Sequence, residues 1–190
     1  MSEPRRSVLA LAVLSMLTEE PMHAYRMQQL IKERHKDDVV NVSQRTSLYQ
    51  TIQRLARDGL VEVESTERAE NRPERTTYRI TGAGRDTLRA WLFAMLSTPA
   101  AEFPEFPAAL SFLPNLAPAR AIEALTVRAD RLAERITALG EEMTQVSSFV
   151  PRLFLIETEY QQRVLEAELA YVRGILDDLR AGHLAWPDNL

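Results

Sequence analysis

The hydrophobic pattern changes period several times in the first half of the chain, and each change predicts an element. Residues 8–17 are apolar on nearly every side, the pattern of a short helix buried all round. Glu19-Glu20-Pro21 breaks it. From residue 22 to about 36, Met22, Tyr25, Met27, Leu30 and Ile31 fall at helical spacing and predict a second helix with that side inward. Asp37-Asp38 ends it, and residues 39–42 read as a short extended link. Ser43 has the chemistry of an N-cap, and a third helix is predicted over 44–58, its Leu48, Ile52 and Leu55 forming one stripe. Gly59 stands where a helix end favours a left-handed residue. The period then drops to two. Residues 60–64 and 76–81 alternate as half-buried strands, and a charged loop, 65–75, joins them into a hairpin. Gly82 and Gly84 lead into a fourth helix, about 83–96, with Leu88, Trp91, Leu92 and Met95 inward.

Pro99, Pro104, Pro107, Pro114 and Pro118 then punctuate the chain, predicting a linker with at most a short helix at 108–113. Two long helices follow. In the first, 118–147, Ile122, Leu125, Ala129, Leu132, Ile136, Leu139, Met143 and Val146 step by three and four as a heptad seam. The second, 151–181, carries two stripes: Phe149 (just before it), Leu153, Ile156, Tyr160 and Val164, then Leu165, Leu169, Val172, Leu176 and Leu179. A helix with two apolar stripes needs cover on two sides. The preceding helix, lying antiparallel, supplies one, and a second copy of the chain is the simplest supply of the other. The predicted fold is mainly α: a winged helix-turn-helix over 1–97 (three helices plus a β-hairpin wing), a Pro-rich linker over 98–117 and a C-terminal antiparallel helical dimerisation domain over 118–190. Leu11, Leu14, Leu132, Ile136, Leu139, Leu165, Leu169, Val172 and Leu176 are the residues expected to carry dimerisation.

Composition excludes several kinds of chemistry. With no cysteine, disulfides, thiolate nucleophiles and Cys-type zinc sites are all absent, which fits a reducing compartment. His23, His35 and His183 lack metal-ligand spacing, so no metal site is expected. Gly82 and Gly84 lack the rest of a dinucleotide fingerprint, and no Ser/His/Asp set assembles; neither an enzyme nor a cofactor is predicted. Arg5 and Arg6 before an apolar run imitate a signal peptide, but Thr18-Glu19-Glu20-Pro21 supplies no cleavage site, and the run is too short to span a bilayer. A cytoplasmic protein with no membrane partner is expected.

The net charge of −4 argues against a nucleic-acid partner, but its distribution does not. Residues 1–90 carry 15 basic and 13 acidic side chains, so the acidic excess lies wholly in the second half. Opposite its buried stripe, the third helix presents Arg45, Thr46, Tyr49, Gln50, Gln53, Arg54 and Arg57, with no acid before Asp58. Arginine and glutamine can make bidentate bonds to guanine and adenine edges, hydroxyls can bond phosphate, and a helix N-terminus attracts phosphate. Ser43, Gln44, Arg45, Thr46, Ser47, Tyr49, Gln50, Gln53 and Arg54 are therefore the predicted contacts to double-stranded DNA, with Arg72 and Arg75 from the wing. The same face also fits an ordinary solvated helix surface. In the wing, Glu67, Glu70 and Glu74 interleave with Arg68, Arg72 and Arg75 and cancel their charge.

The order helix–helix–helix–hairpin–helix with two long C-terminal helices resembles the PadR family of transcriptional regulators. The resemblance is carried by Pro21-Met22-His23-Ala24-Tyr25, by Leu48-Tyr49 with Leu55 and Asp58-Gly59-Leu60-Val61, and by Tyr78-Arg79-Ile80-Thr81 with Gly84. Ala24 departs from it, standing where the family usually has glycine. The resemblance implies a homodimer that binds an inverted repeat, usually as a repressor, and that in many members responds to a small aromatic or drug-like effector. Trp91, Phe93 and Phe103, near the domain junction, are candidates to line an effector pocket, though plain core packing also accounts for them. The competing reading is a winged-helix protein-interaction module without DNA-binding activity.

Overall fold

The computed structural model describes residues 6–36, 39–40, 45–67 and 75–186, with the side chains of Arg45, Thr46 and Glu67 outside that description. Along the chain lie α1 (Val8–Met16), β1 (Met22–His23), α2 (Ala24–Glu33), α3 (Arg45–Arg57), β2 (Val61–Glu67), β3 (Arg75–Ile80) and α4 (Gly82–Ser97). They are followed by α5 (Glu105–Ser111), a 3-10 turn (Leu113–Asn115), α6 (Pro118–Val146), a second 3-10 turn (Arg152–Phe154) and α7 (Ile156–Ala181). The chain divides into two compact units, Met1–Ala101 and Glu102–Leu190. The architecture is mainly helical with a small antiparallel sheet, as the pattern predicts.

The first unit is built around α1. Ala10, Val13 and Leu14 have no exposed surface, but Val8 is exposed and Leu9, Leu11 and Ala12 are half-buried, so this apolar helix is not buried all round as expected. Ser7 caps it, its Oγ accepting from the Ala10 N–H at 3.1 Å. Met22, Met27, Ile31, Leu48, Ile52, Leu55 and Trp91 complete the same core.

The second helix starts two residues later than the pattern predicts. Met22 and His23 form a third strand, pairing with Tyr78 and Thr77 of β3, so the sheet order is β1-β3-β2. His23 is extended (φ −89°, ψ 158°), and its Nδ1 accepts from the Arg26 N–H at 3.0 Å. It is therefore the cap of α2 rather than part of it, and the wing is tied to the segment that starts that helix. Tyr25, expected inward, is half exposed beside the His23 ring.

One corner joins α3, the wing and α4. Gly59 takes the left-handed conformation at φ +70°, and the Leu60 N–H donates back to Leu55 O at 2.9 Å. Thr81 ends β3: its N–H donates to Leu60 O at 3.1 Å and its Oγ1 to Gly59 O at 2.8 Å. The same Oγ1 accepts from the Gly84 N–H at 3.0 Å, capping α4. A Cβ on Gly84 would lie 2.1 Å from Leu60 O and 2.8 Å from Ile80 Cγ1, so only glycine fits without backbone movement.

In the second unit α6 and α7 run antiparallel: Arg128 reaches Glu168, while Arg180 reaches Thr126. Leu125, Ala129 and Leu132 pack on Leu169, Val172 and Leu176. Residues 105–116, expected as part of a linker, form α5 and a 3-10 turn that fold with this unit, Phe106 packing against its core. The far end of that segment is clasped by Trp186, whose Nε1 donates to Pro114 O at 3.1 Å and Leu116 O at 2.8 Å. The last helix begins at Ile156 rather than residue 151, because Pro151 opens the 3-10 turn. Phe149 and Leu153 thus lie outside it.

Two outcomes follow. Gly84→Ala should lower stability by about 1–3 kcal/mol, the usual cost of forcing extra volume into a packed site, measured by urea unfolding. The second concerns Arg34, at the end of α2, which grips Glu19 after α1 with two bonds of 2.6 and 2.7 Å. The bonded guanidinium holds the Glu19 carboxyl below its ordinary range. A depressed carboxyl pKa stabilises the fold above the unfolded value and ceases to do so as pH falls through the folded one. Glu19→Gln should therefore lower Tm slightly near neutrality, by an amount reflecting less than about 1 kcal/mol for so exposed a pair. The difference should close in acid below the normal glutamate range.

Candidate nucleic-acid interface

The buried side of α3 determines which residues it leaves outside. Leu48, Thr51, Ile52 and Leu55 are buried, whereas Tyr49, Gln50, Gln53 and Arg57 are exposed and Ser47 is half-buried. No acid occurs within Arg45–Arg57, so this surface is cationic and polar. Arg45 and Thr46 stand in the first turn of the helix. Ser43, Gln44 and Arg72, also expected as DNA contacts, lie outside the described residues.

Arg54 differs from its predicted place. Three residues after buried Thr51, it sits on the flank of the helix next to the core, not on the outer surface. Its Nη2 donates to Ser7 Oγ at 3.3 Å, and its Nε is buried without a hydrogen-bond partner among the described residues. It links α3 to the cap of α1.

Residues outside the predicted set of contacts border the surface. Tyr25 and Gln28 of α2 flank a small indentation with Ala24, Leu48 and Tyr49. Ala24 is buried there, so the small side chain keeps α2 close to α3. On the wing, Arg75 begins β3 and is exposed. At the base of the wing, Arg79 Nε pairs with Glu62 at 2.8 Å and Glu64 at 2.9 Å, which offsets part of the acid there.

The remaining candidates are dispersed. Trp91 is buried in the first unit's core, while Phe93, on the same helix, is 74% exposed. Phe103 belongs to the second unit and is 97% exposed. Of the dimerisation candidates, Leu14 is buried in the first unit, with Leu11 half-buried against the same core. Leu132, Leu139, Leu169, Val172 and Leu176 are buried in the second unit, with Ile136 and Leu165 half-buried. The other stripe of α7 is uncovered: Ile156, Tyr160, Val164 and Tyr171 are all exposed. Among the described residues no group of three or more His, Asp or Glu could hold a metal ion, and no helix is long and apolar enough to cross a membrane.

Comparison with known proteins places this arrangement. No curated protein matches the sequence. The fold is similar to that of Bacillus subtilis PadR in complex with operator DNA, at 18% identity and a TM-score of 0.72 over 91% of this chain and 99% of that one. It is similar to the same protein in complex with p-coumaric acid, at 16% identity and 0.73 over 92% and 99%. A PadR-like transcriptional regulator from Bacillus cereus is also similar, at 15% identity and 0.63 over 92% and 99%. In sequence, the model of the transcriptional regulator PadR-like family matches from α1 to α4, so residues 13–90 of this chain are a PadR-like family domain.

Proposed function

We propose that this chain is a sequence-specific DNA-binding transcriptional regulator acting in the cytoplasm, a repressor that binds an inverted-repeat operator as a homodimer and is released by a small-molecule effector. One observation carries the reading: within a PadR-like domain, the face of α3 opposite its buried stripe is cationic, polar and free of acid. Thirteen residues of helix are about 20 Å long, and the major groove, about 12 Å wide, admits one such helix. Gln50 and Gln53 supply groups for adenine edges, and Tyr49 and Arg57 supply groups for the backbone. The similar Bacillus subtilis protein has been crystallised with operator DNA and with p-coumaric acid, which supports both the DNA and the effector parts.

Two-fold symmetry would set a pair of such helices about 34–36 Å apart, one turn of DNA. The uncovered stripe of α7 is the surface we assign to the contact between copies. Tyr160 and Tyr171 are 70% and 60% exposed on it, and large exposed apolar patches mark interaction sites. An effector with different affinities for two arrangements of the dimer would change the operator affinity. The competing role as a protein-interaction module draws on the acids at the wing base, Glu62 and Glu64.

Gln50→Ala should weaken operator binding by about 1–3 kcal/mol and relax the preference at one base pair, read by fluorescence anisotropy on operator variants over a salt series. Unchanged discrimination, or binding insensitive to salt, would favour the protein-interaction role. Tyr160→Asp should shift the protein from dimer to monomer in sedimentation while leaving its helical circular dichroism intact. A dimer of undiminished strength would remove α7 from the contact.

A further inference from the structure

The second unit contains a cavity of about 500 Å³ that is open to solvent on one side, of the size of small-molecule pockets. Its roof is α5 and the turn after it, and its floor is α6 with Leu165 of α7. Phe106 and Leu113 from above, and Leu125 and Leu132 from below, make the lining largely apolar. The polar exceptions are all of one sign. Arg128, Arg131 and Arg135 line the cavity at i, i+3 and i+7 along one side of α6, and no acidic residue lines it.

The arginines are not equivalent. Arg128 is held on two sides: its Nε donates to Glu168 Oε1 at 2.6 Å, and its guanidinium lies 3.6 Å from the centroid of the Phe106 ring. Glu168 offsets its charge, and the cation–π contact fixes it under the roof. Arg135 is engaged elsewhere in the unit. Arg131, exposed and between them, has no ion-pair or hydrogen-bond partner among the described residues. An apolar cavity with an unneutralised guanidinium at its edge is complementary to an anion with a hydrocarbon body, because a planar guanidinium accommodates a carboxylate with two parallel bonds.

We propose that this cavity binds a small amphipathic organic acid, its carboxylate on Arg131 beside the fixed Arg128 and its apolar body beneath Phe106 and Leu113. The proposal rests on the effector part of the function above, giving it a site within one unit and a ligand class. The roof also has a built-in reporter. Trp186 clasps its far end through the carbonyls of Pro114 and Leu116, so a ligand that shifts the roof changes the surroundings of the indole.

The test titrates the full chain, without DNA, with decanoate and with decanol, by calorimetry and by tryptophan emission. Decanoate should bind more tightly than decanol. Arg131→Gln, an exposed substitution that leaves the core intact, should weaken decanoate roughly tenfold, the loss of about one charge-assisted contact, and leave decanol unchanged. Leu110→Trp should fill the cavity and weaken both. Arg163→Gln, on a residue of α7 that does not line the cavity, serves as the control and should change neither. Absence of decanoate binding (as when a second copy closes the cavity), equal affinity for decanol, or an Arg131→Gln variant as tight as the parent would overturn the proposal. Operator release is measured separately: decanoate binding without release leaves the site standing and removes the effector role. Release by another compound that Arg131→Gln does not alter places the effector elsewhere.

Discussion

The missing side chain at Gly84 is the constraint on which the first unit depends. Because nothing projects from that position, the first turn of α4 rests directly on the Leu60 carbonyl. Leu60 is the residue through which α3 leaves its helix and β2 starts, so the end of α3, the base of the wing and the start of α4 share one backbone contact. Thr81 closes the corner from the other side, bonding to both Gly59 and Leu60 while capping α4. Three elements are thus oriented by a handful of backbone groups, and the exposed side of α3 inherits its direction from them. The apolar core stabilises the unit, and the corner adds directional bonds that hydrophobic burial by itself does not supply.

Charge is organised locally in a chain whose total charge gives little guide. Acids are numerous, yet several in the first unit are paired: Glu19 with Arg34, Glu33 with Arg26, and Glu62 and Glu64 with Arg79. These exposed pairs add little stability. Their effect is on the local field, since each offsets the charge of a surface carboxylate. The second unit shows the reverse arrangement at its cavity, where one arginine is offset by Glu168 and the next is left uncompensated.

Much of the fold was legible in the sequence because its elements announce themselves by period. The seam of α6 and one stripe of α7 lie together as the three-and-four spacing implied, and Gly59 adopts the left-handed conformation its place required. What escaped was set by single side chains acting on backbone. His23 is a poor indicator of a cap in a sequence, yet its ring nitrogen takes that role and gives Met22 and His23 to the sheet. The proline spacing of 99–118 read as a linker, since prolines mark breaks without indicating whether the pieces between them pack; Phe106 and the Trp186 clasp make that decision through distant contacts. For the candidate interface, the buried stripe of α3 correctly separated Tyr49, Gln50 and Gln53 from the core. Arg54 was misplaced because residues flanking a stripe can turn either way, and its partner, Ser7, is 47 residues away. The cavity in the second unit was invisible, although its arginine spacing along α6 is periodic, because the roof that makes it concave comes from the proline-punctuated segment.

Arg54 also bears on how side-chain scanning of α3 is to be interpreted. Its Nη2 donates to Ser7, the N-cap of α1, and its Nε is enclosed with no partner among the described residues. Removing it would take away a bond between α3 and the start of α1 and vacate a part-buried position, so its effect would include a change in how α3 is seated. A loss of function at position 54 would therefore have to be read beside the stability of the variant, since residues 54 and 7 are joined across the unit.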